Sequence, residues 1–178
     1  MKPETSARPA VIHTERLALR PFMAEDEEDM IGILADPAVS RTYMLPDFSS
    51  RAEAARLFER LLYLSGAPDH FIYGIYLHNR LIGFLNDVEI NGDAIELGYV
   101  ISPAHWNRGY ATEALGACID ALFSLGFETV LAGYFEGNDA SRRVMEKCGM
   151  RPAGWSERMD YRGEEKNCVY MEIHAAKK

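Results

Sequence analysis

The sequence has no apolar run approaching the roughly 20 residues of a membrane span, so nothing in its 178 residues reads as a transmembrane helix. Cysteine is scarce: Cys118, Cys148 and Cys168 are odd in number, far apart and without metal-ligand spacing. That speaks against a disulfide framework and fits a reducing cytoplasm. Each reads as a small buried residue. A basic excess is missing too, with 19 Lys and Arg against 27 Asp and Glu and a net charge of -8. Such acidity argues against a broad nucleic-acid face and weakly favours amine-bearing partners, since net charge chiefly serves solubility. His13, His70, His78, His105 and His174 lack Cys or acidic partners at zinc spacing, and neither a Gly-x-Ser-x-Gly elbow nor a Walker-type loop occurs. No metal is implied. Residues Met1 to Ala10 are polar and lack an apolar core, so they are expected to form a mobile tail rather than a signal peptide or anchor.

What remains, residues 11–178, suits one domain that can bury a core unaided. Leu17 and Leu19 alternate in a first strand reaching toward Phe22, and the acids Glu25 to Asp29 suit the positive end of a first helix. That helix carries Met30, Ile33 and Leu34 inward and stops near Asp36-Pro37. Ser50-x-x-Glu53 is a capping-box pattern for a second helix with Leu57, Leu61 and Leu64 on one stripe, ending at Gly66. Between them Val39 to Phe48 shows no period; a loop rich in aromatics and Met can wall an acceptor or pack on the core.

Three strands follow, Phe71 to Leu77, Leu81 to Ile90 and Ala94 to Ile101, separated by His78-Asn79-Arg80 and by the hairpin signal Asn91-Gly92-Asp93. An apolar stripe of Leu115, Cys118, Ile119 and Leu122 then marks a helix closing at Gly126. Because that helix crosses over, the strand Thr129 to Tyr134 is expected to run parallel to Ala94 to Ile101. Asn138 caps another helix, with Val144, Met145 and Cys148 inward and Gly149 at its end. Arg151 to Glu157 and Lys166 to Ala175 make a last hairpin. The fold class is α/β: a mixed, mostly antiparallel sheet of about seven strands flanked by helices.

The stretch from Trp106 through Asn107, Arg108, Gly109, Tyr110, Ala111 and Thr112 to Leu115 joins a strand to a helix by a tight loop. The first helical turn leaves amides without partners, and Gly109 and Ala111 keep side chains clear of them, which makes a socket for an anion. Upstream stands Glu96-Leu97-Gly98-Tyr99-Val100-Ile101, and downstream Asn138-x-x-Ser141 leads to Glu146-Lys147-Cys148-Gly149. With the opening Thr14-Glu15-Arg16-Leu17-Ala18-Leu19-Arg20-Pro21, these segments resemble the GNAT superfamily of acyl-coenzyme A dependent N-acetyltransferases, most closely its RimJ/RimL-like branch. The resemblance covers nearly the whole chain. Many members carry Gln or Arg where Trp106 stands; this branch often has Trp.

The resemblance implies acetyl-CoA as cofactor, an amine acceptor that is a peptide N-terminus or a small molecule, a cytoplasmic enzyme and a homodimer. It places the pyrophosphate on the amides of Arg108 to Thr112, with Trp106 and Asn107 leading in, and the pantetheine arm along Tyr99, Val100 and Ile101 where two parallel strands splay apart. The amide of Tyr99 or its neighbour then serves as oxyanion donor. Glu96 is the candidate base, ahead of Glu89 and Asp87, and an acceptor that arrives neutral needs no base. The helix after Asn138 has no Tyr, so Ser141 is the candidate donor to the leaving thiolate, with Tyr134 as second choice. Asn138 caps its helix and can also hold the cofactor arm, while Arg142 and Arg143 read as solvated residues or as 3′-phosphate contacts. A non-catalytic acyl-CoA binding module of the same fold is the alternative.

Overall fold

The computed structural model describes residues 8–176. Its frame is one eight-stranded sheet in the order β1-β2-β3-β4-β5-β6-β8-β7. The strands are β1 (Ile12–His13), β2 (Leu17–Arg20), β3 (Tyr73–Leu77), β4 (Arg80–Asn91), β5 (Ala94–Ile101), β6 (Thr129–Phe135), β7 (Arg151–Tyr161) and β8 (Glu164–His174). All neighbours are antiparallel except β5 and β6. The strand beyond the expected seven is β1, two residues that pair with Leu19 and Ala18.

Among the described residues five α-helices flank the sheet: α1 (Glu27–Leu34), α2 (Pro37–Thr42), α3 (Arg51–Ser65), α4 (Tyr110–Ser124) and α5 (Asp139–Lys147). One face carries α4 and α5, whose Leu115, Cys118, Ile119 and Met145 meet Ile95, Leu97 and Ile101 of β5. The opposite face carries α1 to α3, where Met30, Leu34, Val39 and Phe58 meet Phe84 and Val100. Strand alternation thus sends odd-numbered β5 residues toward α4 and even-numbered ones toward α1 to α3.

Several local expectations change. The segment after Asp36 is not all loop: Asp36 accepts the Ala38 N–H at 2.8 Å and Pro37 opens a helix of six residues. In α3 the inward face centres on Ala54 and Phe58, with Leu57, Leu61 and Leu64 packed on its edge. The capping box there is displaced: Ser50 Oγ accepts from the Glu53 N–H at 3.3 Å, but the Glu53 carboxylate reaches the Ser49 N–H at 2.6 Å. In the β4–β5 hairpin Asn91 stays extended opposite Ala94, and only Gly92 takes a positive φ, +64°.

Of the expected tail, residues 1–7 lie outside the described residues. Arg8 and Pro9 are docked: Arg8 donates to the carbonyls of His70 (2.7 Å) and Ser65 and lies over the Tyr73 ring at 4.8 Å, and Tyr73 Oη donates to the Pro9 carbonyl at 2.6 Å. No described helix is long and apolar enough to cross a membrane.

Candidate active site

The sheet opens in its middle. β5 and β6 pair only from Ala94/Thr129 to Glu96/Leu131. Beyond that β5 stays on β4 as far as Ile101/Gly83, and β6 stays on β8 as far as Phe135/Cys168. Each strand is held by its outer neighbour, so the two diverge. The Ser102 N–H donates to the Ile82 carbonyl at 2.7 Å, which fixes the phase of the β4–β5 ladder. Val100 and Gly98 therefore spend their main-chain groups on β4, and those of Tyr99 and Ile101 turn toward the opening. The Ile101 carbonyl is already taken, by Trp106 Nε1 at 2.6 Å. The Tyr99 N–H and C=O and the Ile101 N–H remain.

The loop above brings a second set of free donors. Asn107 and Gly109 take left-handed φ values of 59° and 81°, and α4 starts at Tyr110 with its first intrahelical bond from Glu113 N–H to Gly109 C=O at 3.0 Å. The amides before Glu113 have no helical partner and make a concave anion site. They border a cleft of about 490 Å³. Of the residues expected to hold a cofactor, Tyr99, Val100, Ile101, Trp106, Asn107, Gly109, Tyr110, Ala111, Thr112, Asn138 and Ser141 all line it. Arg108 does not; its carbonyl faces Arg16 Nη1 at 2.9 Å and its side chain is exposed.

At the far end of the cleft Asn138 and Ser141 engage each other. Asn138 Oδ1 accepts the Ser141 N–H and Asn138 Nδ2 donates to Ser141 Oγ, both at 3.2 Å. Tyr99 Oη donates to the Ser141 carbonyl at 3.3 Å, and burial pushes the phenol's pKa well up, against the Ser141 hydrogen bond, so it stays protonated. Tyr134 packs against the core instead of lining the cleft. Arg142 turns outward to Asp139 and Glu146, whereas Arg143 lines the cleft together with Lys147.

Glu96 lies outside the cleft lining, at the last paired position below the opening and on the α1–α3 face. It is cross-strand from Glu89, and burial first, then the charges of Glu89 and Glu157, raise its pKa above the usual carboxylate value. Asp87 is engaged elsewhere, accepting the Phe71 N–H at 2.8 Å and sitting 2.9 Å from His70 Nδ1. Among the described residues no group of three His, Cys, Asp or Glu could hold a metal.

Lys147 and His105 line the cleft without being singled out for it in the sequence, and Tyr43 was legible only as part of the aromatic loop Val39 to Phe48. Tyr43 crosses over Gly98, where any Cβ would lie 2.8 Å from its hydroxyl, and donates to Asn86 Oδ1 at 2.6 Å. A glycine inside an otherwise apolar strand was the available signal. Lys147 follows Arg143 at a spacing of one helical turn, a stripe that periodicity could have found. His105 lines the cleft with a buried Nδ1 lacking any partner, and burial, then Arg108 and Arg80, hold its imidazole toward the neutral form.

A sheet parted between parallel strands, next to the amide end of a helix, sets an unpaired strand edge beside an anion socket in one cleft. The matches to known proteins agree: residues 16–151 match the family described as Acetyltransferase (GNAT) domain. The chain belongs to that family of acetyl-CoA dependent N-acetyltransferases. YoaA of Bacillus subtilis (strain 168), named an uncharacterized N-acetyltransferase, is 28% identical over 149 residues, covering 81% of this chain and 84% of its own. A solved GNAT-family acetyltransferase from Bacillus anthracis is 26% identical with a TM-score of 0.80, covering 92% of this chain and 98% of that one. RimL, a ribosomal L7/L12 alpha-N-protein acetyltransferase solved with coenzyme A, gives a TM-score of 0.80 at 17% identity over 92% of this chain and 97% of that one. At that identity the likeness is one of fold.

Proposed function

We propose that this protein, as a RimJ/RimL-like member, moves acetyl from acetyl-CoA to a primary amine by direct attack, with no covalent enzyme intermediate. The observation that carries the reading is the parting of β5 and β6 beyond Glu96/Leu131 beside the free amides of Gly109 to Thr112. Those donors fit the group: an anion socket for a pyrophosphate, and a strand edge for the peptide-like pantetheine arm.

When bound, acetyl-CoA supplies a thioester carbonyl open to attack. The amides and the Thr112 hydroxyl hold the pyrophosphate, and Arg143 and Lys147 face the same cleft as counter-charges for a further phosphate. The Tyr99 N–H donates to the carbonyl oxygen as it gains negative charge. Ser141, whose hydroxyl borders the cleft, donates a hydrogen bond toward the sulfur. Glu96 takes the amine's proton from the other face of the sheet.

The acceptor is an α-amine or a weakly basic small-molecule amine, drawn to the Glu89, Glu96 and Glu157 charges. We place the enzyme in the cytoplasm, in keeping with its free thiols Cys118, Cys148 and Cys168, and take residues 11–178 as one domain. The test is thiol release with acetyl-CoA over peptides with free or blocked N-termini, amino acids, polyamines and aminoglycosides. Turnover confined to free α-amines or weakly basic amines is the expected result; tight acetyl-CoA binding with no thiol release across the panel would instead establish a binding module.

A further inference from the structure

The anion loop is held from behind by a side chain far away in sequence. We propose that Arg16, in partnership with Glu113, is a positioning residue for the pyrophosphate of acetyl-CoA, an inference that rests on the acetyl-CoA reading above. Arg16 lies in the turn between β1 and β2. Its Nη1 donates to the Arg108 carbonyl at 2.9 Å, its Nε donates to Glu113 Oε2 at 2.7 Å, and its Nη2 lies 2.6 Å from the same oxygen. The plane of the guanidinium covers the Tyr110 ring at 4.6 Å, and Nη2 stands 3.3 Å from where a Cβ on Gly109 would be. The second Glu113 oxygen accepts from the Arg16 main-chain N–H at 2.8 Å and from Thr14 Oγ1 at 2.6 Å. Nε, Nη1 and Nη2 each have a partner within the protein and Arg16 is not part of the cleft lining, so its effect on an anion is indirect.

Two effects follow. The first is geometric: a trans peptide is planar, with its C=O and N–H on opposite sides. Fixing the Arg108 carbonyl toward Arg16 therefore aims the Gly109 N–H the other way, to the side of the loop that lines the cleft. The second is electrostatic. Glu113 stands in the first turn of α4, where its charge helps the helix but opposes any anion bound at that end. Burial alone would raise its carboxyl pKa, but the Thr14 and Arg16 hydrogen bonds and the Arg16 charge outweigh that and hold it low, so Glu113 stays ionised and neutralised by its partner. Arg16 cancels a repulsion built into the socket.

This makes a sign prediction that a purely structural pin does not. Removing Arg16 alone unmasks Glu113, so Arg16→Ala should bind acetyl-CoA worse than the double variant Arg16→Ala/Glu113→Gln. The loss should also be confined to donors with phosphates, leaving S-acetyl-pantetheine untouched. Calorimetric Kd values for both donors, with kcat and KM for each, test it in the full chain. For Arg16→Ala we expect a loss of roughly tenfold to a hundredfold in acetyl-CoA affinity, the scale of charge-assisted hydrogen bonds, with kcat at saturation little changed. Partial recovery is expected in the double variant, and an intermediate loss in Arg16→Lys, which keeps the charge but not the fork that spans Glu113 and the Arg108 carbonyl. Should Arg16→Ala fail to fold, Arg16→Lys makes the same two-donor comparison. Equal loss for both donors, or a double variant worse than the single one, overturns the proposal while leaving the acetyl-CoA reading intact. A wild-type protein that binds neither donor would remove both.

Discussion

Asn138 and Ser141 bind each other twice, side-chain oxygen to backbone N–H and side-chain amide to hydroxyl, each at 3.2 Å. The second contact orients the hydroxyl. Its oxygen accepts from Asn138, so its proton has no partner within the pair and is free to be donated into the cleft that Ser141 lines. The helix cap and the proposed donor to sulfur are thus one device.

Ser141→Ala should accordingly lower kcat by on the order of a hundredfold while changing acetyl-CoA affinity far less, because the contact strengthens as charge builds on sulfur. Asn138→Ala should lower kcat as well, and also reduce stability by about 1 kcal/mol through loss of the cap. Steady-state kinetics with calorimetric Kd values separate the two. If Ser141→Ala alters only affinity, its hydroxyl has no part in the leaving-group step.

Gly109→Val should abolish acetyl-CoA binding in a protein that still unfolds cooperatively. Gly109 has φ +81°, a conformation that a β-branched residue adopts only under strain, and its Cβ would press on Arg16 Nη2 at 3.3 Å. The damage stays in the loop, since α4 is held separately by Leu115, Cys118, Ile119 and Leu122 against the sheet. Calorimetry with acetyl-CoA alongside thermal unfolding checks both halves. Unchanged affinity in a folded variant would remove the anion-socket reading.

The parts of this molecule that the sequence made legible are those whose signal is contiguous. Gly109 before the α4 stripe and Asn138 three residues before Ser141 each lie within one local motif, and the parallel direction of β5 and β6 follows from a helix crossing between Ile101 and Thr129, whereas their splay was implied only by the family resemblance. What stayed hidden depends on packing between distant segments. Only Val39 of α2 is buried, so six residues gave no period to detect. Tyr43 enters the cleft because Tyr161, far along the chain, fixes its loop: Tyr161 Oη sits 2.8 Å from the Ser40 carbonyl and 3.1 Å from that of Tyr43, and accepts the Leu45 N–H at 3.1 Å. Alternation put Glu96 opposite Ile95 and Leu97, but which side of the sheet would receive α1 to α3 was not written in β5 itself.

Glu96 joins the last prediction to the nature of the acceptor. A base acts only when ionised, and burial together with the like charges of Glu89 and Glu157 favours the protonated form, so the acidic limb of kcat/KM should lie above the usual carboxylate range. Removing one neighbour should move that limb to lower pH, as in Glu157→Gln. The same raised pKa means that ionised Glu96 lowers stability once the pH exceeds its folded value, with no such cost below its unfolded one. Glu96→Gln should therefore raise Tm at pH 8 and leave it unchanged in acid below the unfolded carboxylate pKa. Its kinetic effect runs the other way. An α-amine, with a pKa of about 8, is partly neutral on its own, whereas a lysine amine at about 10.4 depends almost wholly on the site. Because Glu96 stands outside the cleft lining, α-amines or weakly basic amines should be preferred, and Glu96→Gln should lose activity below about pH 8 and partly recover above it as the amine deprotonates unaided. Thiol release with free and blocked peptides, measured from about pH 6 to about pH 11 so that amine pKa values of about 8 and about 10.4 both fall inside, decides it. A flat pH response in Glu96→Gln, or turnover confined to N-terminally blocked lysine peptides, would sink the assignment.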